Sequence, residues 1–247
     1  QHVLDFCETL PKFERLLYIS TCYIAGMCHG MCYENELDCG QDFKNHYEST
    51  KFWAEKLVQH RWDKIPTVIF RPAIVVGDSQ TGETIKGDGP YVIFQLLMRL
   101  PKWLPMVNVG TSNATVNVVP VDFLTKAMAT ISTQDDVEGK VFQLADPNPM
   151  QASDIMGLVV ETMDQAPIVG SVPSNWMEAL LSVKPIERLV GIQRQAIGYF
   201  NHSISYDVQN TMKALDGTGV RCPQLVSYLP TLIEYSRQNQ HIFMKVQ

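Results

Sequence analysis

The chain has 247 residues, of which 45% are hydrophobic, and its 20 basic and 26 acidic residues give a net charge of −6. This length and apolar content suit one large α/β domain, alone or with a small companion, and exclude wholesale disorder. The acidic balance argues against a nucleic-acid partner. No apolar run reaches the roughly 18 residues that a membrane span needs, and no targeting peptide is visible, so we expect a cytoplasmic protein without a membrane span.

The first half of the chain alternates helix-like and strand-like patterns. β-branched and apolar runs that end in turn residues predict buried parallel strands, and apolar residues at helical spacing predict helices. In chain order the predicted elements are a helix in residues 1–10, a strand at 15–21, a loop at 22–44, a helix at 47–60, a strand at 66–77, a glycine-rich loop at 78–90, and a helix at about 91–100 followed by a hydrophobic loop.

The second half continues this alternation. The predicted elements are a short strand from 115 leading into a helix from Val121 to 133, a strand at 139–146, a helix at 152–164, a helical region at 174–199, a strand leading into a helix at 203–215, and a last helix at 223–238. Ser153 or Asp154 is the expected cap of the helix at 152–164. Strands that alternate with helices indicate the α/β class with a mostly parallel sheet.

Five of the six cysteines fall within the first 39 residues. In a chain of this size without a signal peptide, this pattern favours reduced thiols over a disulfide framework. Cys28, His29 and Cys32 suggest zinc ligands, but a C-x3-C spacing without a second pair is weak evidence for zinc. We therefore expect no metal site.

Tyr47 and Lys51 lie four residues apart at the start of the helix predicted at 47–60. Residues at this spacing share one helical face, and an ammonium near a phenol favours the ionised phenolate. Such a tyrosine can give or take a proton during reduction of a carbonyl or oxidation of an alcohol. Ser20 and Thr21 end the preceding predicted strand, at the sheet edge where open α/β folds bind ligands.

The segments "STCYIAG", "YESTK", "RPAIVVGDSQTG" and "VPVDF" together resemble the extended short-chain dehydrogenase/reductase superfamily, in particular its male-sterility branch, which includes fatty acyl-CoA reductases and thioester reductase domains. The resemblance is strong to about residue 150 and looser beyond it. It implies a Rossmann-like doubly wound parallel sheet with a smaller, mostly helical C-terminal substrate lobe. Residues 1–150 would form a partial NAD(P)-binding and catalytic region, with substrate-lobe insertions from about 78 to 115, and residues 151–247 the C-terminal lobe.

The resemblance also implies roles for individual residues. Thr21, five residues before Gly26, matches the catalytic hydroxyl, Tyr47 the proton donor or acceptor, and Lys51 the group that binds the nicotinamide ribose. The implied cofactor-binding set is Ser20, Tyr47, Lys51, Arg71, Pro72, Ala73 and Ile74, of which Ala73 and Ile74 would contribute backbone contacts beside the nicotinamide.

One family feature is missing from the chain. The phosphate-binding G-x-x-G-x-x-G turn normally precedes the catalytic strand, whereas the glycines at 77, 82, 87 and 89 follow a later strand. The opening "QHVLDFC" resembles a helix that lies after that turn in the family. We therefore expect the protein to extend upstream of Gln1.

The resemblance implies an oxidoreductase that uses NADP or NAD and acts on a small-molecule carbonyl or acyl substrate. An aldehyde or an acyl thioester is the expected carbonyl. Two alternatives stay open: a sugar-nucleotide epimerase or dehydratase of the same superfamily, and a catalytically silent NAD-binding-like scaffold. Helices of such folds often pair in dimers, so a homodimer is a further expectation without an identified interface.

Overall fold

The computed structural model describes residues 1–87, 89–109, 114–173, 175–176, 179, 182 and 204–243. Contacts divide the chain into two compact units, each built from three separate stretches. The first unit comprises Gln1–Ala73, Phe123–Pro147 and Ile204–Cys222, and the second comprises Ile74–Asp122, Asn148–Ser203 and Pro223–Gln247. The predicted roles, an NAD(P)-binding and catalytic region in residues 1–150 and a C-terminal substrate lobe in residues 151–247, stay predictions.

The first unit contains a parallel sheet with helices packed on it. Its elements are α1 (His2–Thr9), β1 (Leu16–Ile19), a 3-10 turn (Cys22–Ala25), β2 (Gly30–Cys32), α2 (His46–Gln59), β3 (Thr67–Pro72), α4 (Val121–Ser132, from Phe123 onward), β7 (Lys140–Leu144), β9 (Ile204–Tyr206) and α6 (Gln209–Leu215). The sheet order is β1-β3-β7, and β2 pairs with β9, all in parallel.

β3 is the central strand of this sheet, and all six of its residues are buried. A run of apolar residues without alternation is typical of a parallel strand that is covered on both faces. Phe70 of β3 packs on Phe142 of β7 with ring centroids 5.9 Å apart. A second cluster joins α1 and α2 to the sheet through Leu4, Val58 and Ile69.

The second unit is built on short parallel strand pairs and a helical core. Its elements are β4 (Ile74–Val76), α3 (Tyr91–Arg99), β5 (Met106–Val109), β6 (Val118–Pro120), α5 (Ala152–Thr162), β8 (Ile168–Val172), α7 (Leu225–Gln238) and α8 (Gln240–Phe243). β4 pairs with β6, and β5 pairs with β8. The core is formed by apolar residues of α3, α5 and α7, including Phe94, Val159 and Leu232.

The structure confirms the α/β class with parallel strands and corrects several predicted elements. The strand expected at 66–77 is interrupted at Ala73, because β3 pairs within the first unit and β4 within the second. The loop expected at 22–44 contains the 3-10 turn and β2, and the hydrophobic loop after residue 100 contains β5. The predicted caps of α5 are wrong, because Gln151 occupies the N-cap position without a side-chain bond.

The predicted helical region at 174–199 lies largely outside the described residues. Across the stretches that the structure does describe, no helix combines the length and the apolar character that crossing a bilayer requires.

Candidate active site

The start of α2 is fixed by a reciprocal cap. Asn45 accepts a hydrogen bond from the Glu48 N–H through its side-chain oxygen (3.0 Å), and the buried Glu48 carboxylate accepts one from the Lys44 N–H (2.9 Å). The first bond satisfies a backbone donor that a helix N-terminus leaves without a partner, and the second ties the residue before the N-cap to the first turn. The first turn of α2, which carries Tyr47, is therefore held firmly.

Lys51 joins α2 to the end of β1. Its Nζ donates a hydrogen bond to the carbonyl oxygen of Ile19 at 2.8 Å and lies 5.7 Å from the centroid of the Tyr18 ring. Ile19 directly precedes Ser20 and Thr21, so this bond brings the lysine predicted for cofactor binding to the strand end that carries the two predicted hydroxyls. An ammonium has three N–H donors, and this bond uses one of them.

Tyr47 is 56% exposed, so its phenol is accessible to solvent and to a small ligand. Tyr18 lies near Tyr47. Burial raises the pKa of Tyr18, and the nearby Glu55 and Tyr47 side chains raise it further. Tyr18 is thus close enough to Lys51 and to Tyr47 to interact electrostatically with each of them.

Thr21 and Ser20 differ in how their hydroxyls are used. The buried Thr21 hydroxyl caps the 3-10 turn by accepting the N–H of Tyr23 at 3.2 Å, and it lies 3.4 Å from the carbonyl oxygen of Pro72. Ser20 is 4% exposed, and among the described residues its hydroxyl has no hydrogen-bond partner. Because buried polar groups are nearly always paired, an orphan hydroxyl beside Thr21 is a candidate ligand-binding group.

Arg71 has a buried guanidinium that is already occupied by protein groups. It forms an ion pair with Glu55 at 2.7 Å and donates to the Glu36 carbonyl oxygen at 2.9 Å. Neither side chain of the ion pair is more than 4% exposed. Any contact of Arg71 with a cofactor would therefore involve its backbone.

The other predicted cofactor contacts continue from β3. Pro72 is the last residue of β3, and the Ala73 N–H donates to the Leu144 carbonyl oxygen at 3.1 Å within the first unit. Ile74 begins β4 in the second unit, where its N–H donates to the Asn117 carbonyl oxygen at 3.1 Å. The cofactor roles of these three residues remain predictions.

Two features near the site were missed by sequence reasoning. Glu34 is buried and accepts hydrogen bonds from the backbone N–H groups of Gln143, Asn210 and Thr211, and from the Thr211 hydroxyl. A glutamate in a polar loop gives no sequence signal of this role. Cys28 forms a disulfide with Cys39, so the expectation of reduced thiols is wrong for this pair.

Within the described ranges, the structure brings together no group of three or more His, Cys, Asp or Glu side chains arranged to hold a metal ion. Cys28, the first member of the suggested zinc set, is instead bonded to Cys39.

Comparisons with known proteins agree with the resemblance seen in the sequence. The terminal R domain from the myxalamid PKS-NRPS biosynthetic pathway superposes with a TM-score of 0.78 at 22% identity, covering 96% of this chain and 62% of that one. UDP-glucuronic acid 4-epimerase from Bacillus cereus, solved with NAD, gives a TM-score of 0.68 at 16% identity, covering 96% and 64%. The predicted Rossmann-like fold class is thereby confirmed.

A curated relative points the same way. The nonribosomal peptide synthetase asaC of Aspergillus flavus is 23% identical over 195 residues, which are 70% of this chain and 18% of the relative. The chain thus spans less than two thirds of the length of these similar proteins.

A family model confirms the predicted branch. The NAD-binding domain model described as "Male sterility protein" matches residues 1–128, more than half of the chain. The prediction of a nicotinamide dinucleotide cofactor is confirmed at the level of this family. This chain, with its Ser20-Thr21 strand end and its Tyr47 and Lys51 pair, belongs to the male sterility protein family of NAD-binding domains.

Proposed function

We propose that the chain carries the catalytic part of an NAD(P)-dependent oxidoreductase that acts on a carbonyl or alcohol. The observation that carries this proposal is the 2.8 Å bond from Lys51 Nζ to the Ile19 carbonyl oxygen. It joins the helix that bears Tyr47 to the strand end that bears Ser20 and Thr21. This bond supports a site in which an acid/base phenol, a cation and hydroxyl donors lie near the carboxyl end of a parallel strand, where ligands bind in open α/β sheets.

The residues present suit the nicotinamide end of the cofactor. The Ser20 hydroxyl has no partner among the described residues, and the Lys51 ammonium keeps two N–H donors beyond its bond to Ile19. Donors of this kind match the hydroxyl groups of a nicotinamide ribose. When bound, the cofactor supplies or accepts the hydride, which is chemistry that no side chain can provide.

Tyr47 handles the proton in this proposal. Hydride addition to a carbonyl carbon leaves charge on the oxygen, and the phenol donates its proton to that oxygen; alcohol oxidation runs in reverse. The fixed charge of Lys51, one helical turn away on the same face, stabilises the phenolate that remains. Thr21, or the neighbouring Ser20, holds the substrate oxygen by a hydrogen bond.

The proposed substrate is an aldehyde or an acyl thioester. The match to the male sterility family and the fold shared with an R domain of a PKS-NRPS pathway support a carbonyl activated as a thioester.

A second candidate function is a sugar-nucleotide epimerase or dehydratase. It is favoured by the fold shared with UDP-glucuronic acid 4-epimerase, which was solved with NAD. In this case the hydride returns to the substrate, so the cofactor is recycled within one turnover.

The stoichiometry of the cofactor separates these functions. The purified protein is incubated with NADPH or NADH and a panel of medium-chain aldehydes and acyl-CoA thioesters, and in parallel with NAD and UDP-sugars. We expect one reduced cofactor consumed for each aldehyde converted to alcohol. Conversion of a UDP-sugar without net change in cofactor would establish the epimerase instead, and cofactor binding without turnover in any arm would favour a silent NAD-binding-like scaffold.

A further inference from the structure

The loop of residues 27–42, called here the 27–42 loop, connects the two halves of the candidate site. It leaves the 3-10 turn that follows Thr21 and returns just before the cap of α2 that precedes Tyr47. Its base is closed by a backbone hydrogen bond from the Met27 N–H to the Asp42 carbonyl oxygen at 2.8 Å. Gly26 turns the chain into this loop with a φ of +55°, and a side chain there would collide with the Asp42 backbone.

The returning arm of the 27–42 loop is fastened to α2 and to the 3-10 turn. Asp38 forms an ion pair with Lys56 of α2 at 2.5 Å, and the Lys56 ammonium also lies 5.1 Å from the centroid of the Trp53 ring. Gln41 donates from Nε2 to the carbonyl oxygen of Ile24 at 3.0 Å. Cys39 therefore lies on the returning arm, which these contacts hold against α2 and the 3-10 turn.

The outgoing arm is fastened to the segment after Thr21. The Cys28 N–H donates to the carbonyl oxygen of Ala25 at 3.0 Å, which closes a turn over Gly26 and Met27 directly after the 3-10 turn. The disulfide between Cys28 and Cys39 consequently links the Thr21 side of the loop covalently to its α2 side.

The surroundings of this disulfide suit exchange with solvent thiols. Cys39 is exposed and Cys28 is half-buried, so a small thiol can reach the bond. Exposed disulfides are the labile ones, whereas structural disulfides resist reduction by the glutathione pool. Both cysteines line a shallow pocket with Cys22 and Cys32, which has a volume of about 320 Å³ including the open space at its mouth.

The other two thiols of this pocket, those of Cys22 and Cys32, compete poorly for thiol–disulfide exchange. Cys22 is 1% exposed, its sulfur donates to the Arg71 carbonyl oxygen at 3.0 Å, and burial raises its pKa far above the ordinary range. Burial also raises the pKa of the half-buried Cys32. Because the thiolate is the attacking species, these two thiols compete poorly with Cys28 and Cys39 for exchange.

We propose that Cys28 and Cys39 form a reversible redox site that clamps the 27–42 loop. In the reducing direction a small thiol RSH attacks one sulfur as its thiolate and a second RSH resolves the mixed disulfide, giving two protein thiols and one RSSR. In the oxidising direction RSSR accepts the two electrons of the two thiols and leaves as two RSH. Opening the bond releases the covalent link between the Thr21 side and the α2 side of the loop. This proposal holds whether or not the chain turns over a carbonyl.

The test is a redox titration of the folded protein with reduced and oxidised glutathione. At each ratio the free thiols are trapped by alkylation, and the state of Cys28 and Cys39 is read by mass spectrometry after combined digestion with trypsin and a glutamate-specific protease. We expect both thiols to disappear together in one two-electron transition. Cys28→Ser and Cys39→Ser should abolish this transition, and Cys222→Ser, the matched control, should retain it.

A second measurement follows the opening of the 27–42 loop by proteolysis. Native proteolysis by the glutamate-specific protease at Glu36, which is exposed within the 27–42 loop, should become faster by about tenfold on reduction, because opening a covalent link raises the population of locally open states. Cys28→Ser should be cut at the fast rate under both conditions. The proposal would be overturned if the two thiols titrated separately, or if no glutathione ratio opened the bond in the folded protein. Pairing with Cys32 instead, or equal rates of cutting in both redox states, would also overturn it.

Discussion

Lys51 Nζ lies 2.8 Å from the carbonyl oxygen of Ile19, and this bond couples α2 to the end of β1. The helix that carries Tyr47, the proposed acid/base residue, is thereby held against the strand end that carries Ser20 and Thr21, the proposed substrate-binding hydroxyls. The cation has a structural partner in the protein and donors left for a ligand, so its removal should affect both positioning and chemistry.

Replacing Lys51 tests this coupling. Lys51→Met keeps the apolar stem and removes the charge, and we expect kcat/KM to fall by roughly 10²-fold or more, at the lower end of what general acid–base catalysis contributes. Lys51→Arg should recover part of the loss, because a guanidinium still reaches the carbonyl with positive charge. Steady-state kinetics with saturating cofactor provide the measurement.

Lys64→Met is the matched control for Lys51, because Lys64 is an exposed lysine just beyond the end of α2. A surface substitution of this kind should leave kcat/KM within about twofold of the wild type. Equal losses in both variants would show that the effect of Lys51→Met comes from a change in surface charge.

The buried ion pair of Arg71 and Glu55 should be structural. Glu55→Gln leaves the Arg71 charge buried without its counter-ion, so the free energy of unfolding should fall by about 3–5 kcal/mol. Replacing both members by Arg71→Met and Glu55→Leu removes the uncompensated charge and should restore most of this loss. Urea unfolding followed by circular dichroism measures both changes.

The same variants address the cofactor prediction for Arg71. If the guanidinium serves only the fold, the folded double variant keeps the cofactor dissociation constant of the wild type. A large loss of cofactor affinity in a variant that is still folded would show that the side chain contacts the cofactor.

Glu34 should stabilise the first unit through its four hydrogen bonds. In Glu34→Gln, an amide N–H₂ replaces one carboxylate oxygen and cannot accept a hydrogen bond from the backbone donors around it. We therefore expect the free energy of unfolding to fall by about 1–3 kcal/mol. Glu36→Gln is the matched control, because that residue is exposed in the same loop. A loss of the same size in both variants would contradict the role given to the Glu34 carboxylate.

The stability conferred by Glu34 should depend on pH. Burial raises the pKa of this carboxyl, although hydrogen bonds from Gln143, Asn210 and Thr211 lower it in part. Between the ordinary and the raised pKa the folded protein binds more protons than the unfolded chain, so the free energy of unfolding falls as pH rises through this window. The difference in stability between wild type and Glu34→Gln should therefore shrink as pH rises from the ordinary carboxyl pKa through the raised one; a difference that grows over this window would contradict the shift.

The local elements of the fold could be predicted from sequence, and the pairings that close it could not. Helix α2 was expected at 47–60 and runs from His46 to Gln59, because the Asn45 cap and the apolar spacing are both local signals. β5 and β8 were missed, since each is short and is stabilised by a partner about 60 residues away in the chain. The interruption at Ala73 has the same cause, because a continuous β-branched run carries no mark of which strand each half will pair with.

The candidate site shows the same division. Tyr47 and Lys51 were predicted from their spacing on one helix, and the hydroxyls of Ser20 and Thr21 from their place at a strand end. The Thr21 hydroxyl caps the 3-10 turn, whereas the Ser20 hydroxyl has no hydrogen-bond partner among the described residues. This difference depends on tertiary contacts. The Arg71 ion pair likewise requires α2 to lie against β3, which no local pattern encodes.

Gly82 should be required by the second unit. It has a φ of +74°, and a Cβ there would lie 2.6 Å from the carbonyl oxygen of Thr231 and from the Tyr235 side chain. Gly82→Ala should therefore lower the free energy of unfolding by at least about 1–2 kcal/mol, the cost of a left-handed backbone alone.

Gly157 provides the opposite control. It lies inside α5, and a Cβ there would meet no atom within 4 Å. Gly157→Ala should raise the free energy of unfolding by about 0.5–1 kcal/mol, because alanine is the better helix former. Thermal unfolding of the two variants side by side should move the midpoint in opposite directions, and a shift of the same sign would contradict the packing described around Gly82.

The proton-transfer role of Tyr47 is the central claim, and Tyr47→Phe tests it most directly. The side chain is 56% exposed, so loss of the hydroxyl should leave the unfolding free energy unchanged. With Tyr33→Phe as control for an exposed tyrosine, we predict that kcat with an aldehyde substrate falls by about 10²–10⁴-fold, the usual contribution of general acid–base catalysis. A Tyr47→Phe protein that is folded, binds cofactor and keeps kcat within about tenfold of the wild type would contradict the account.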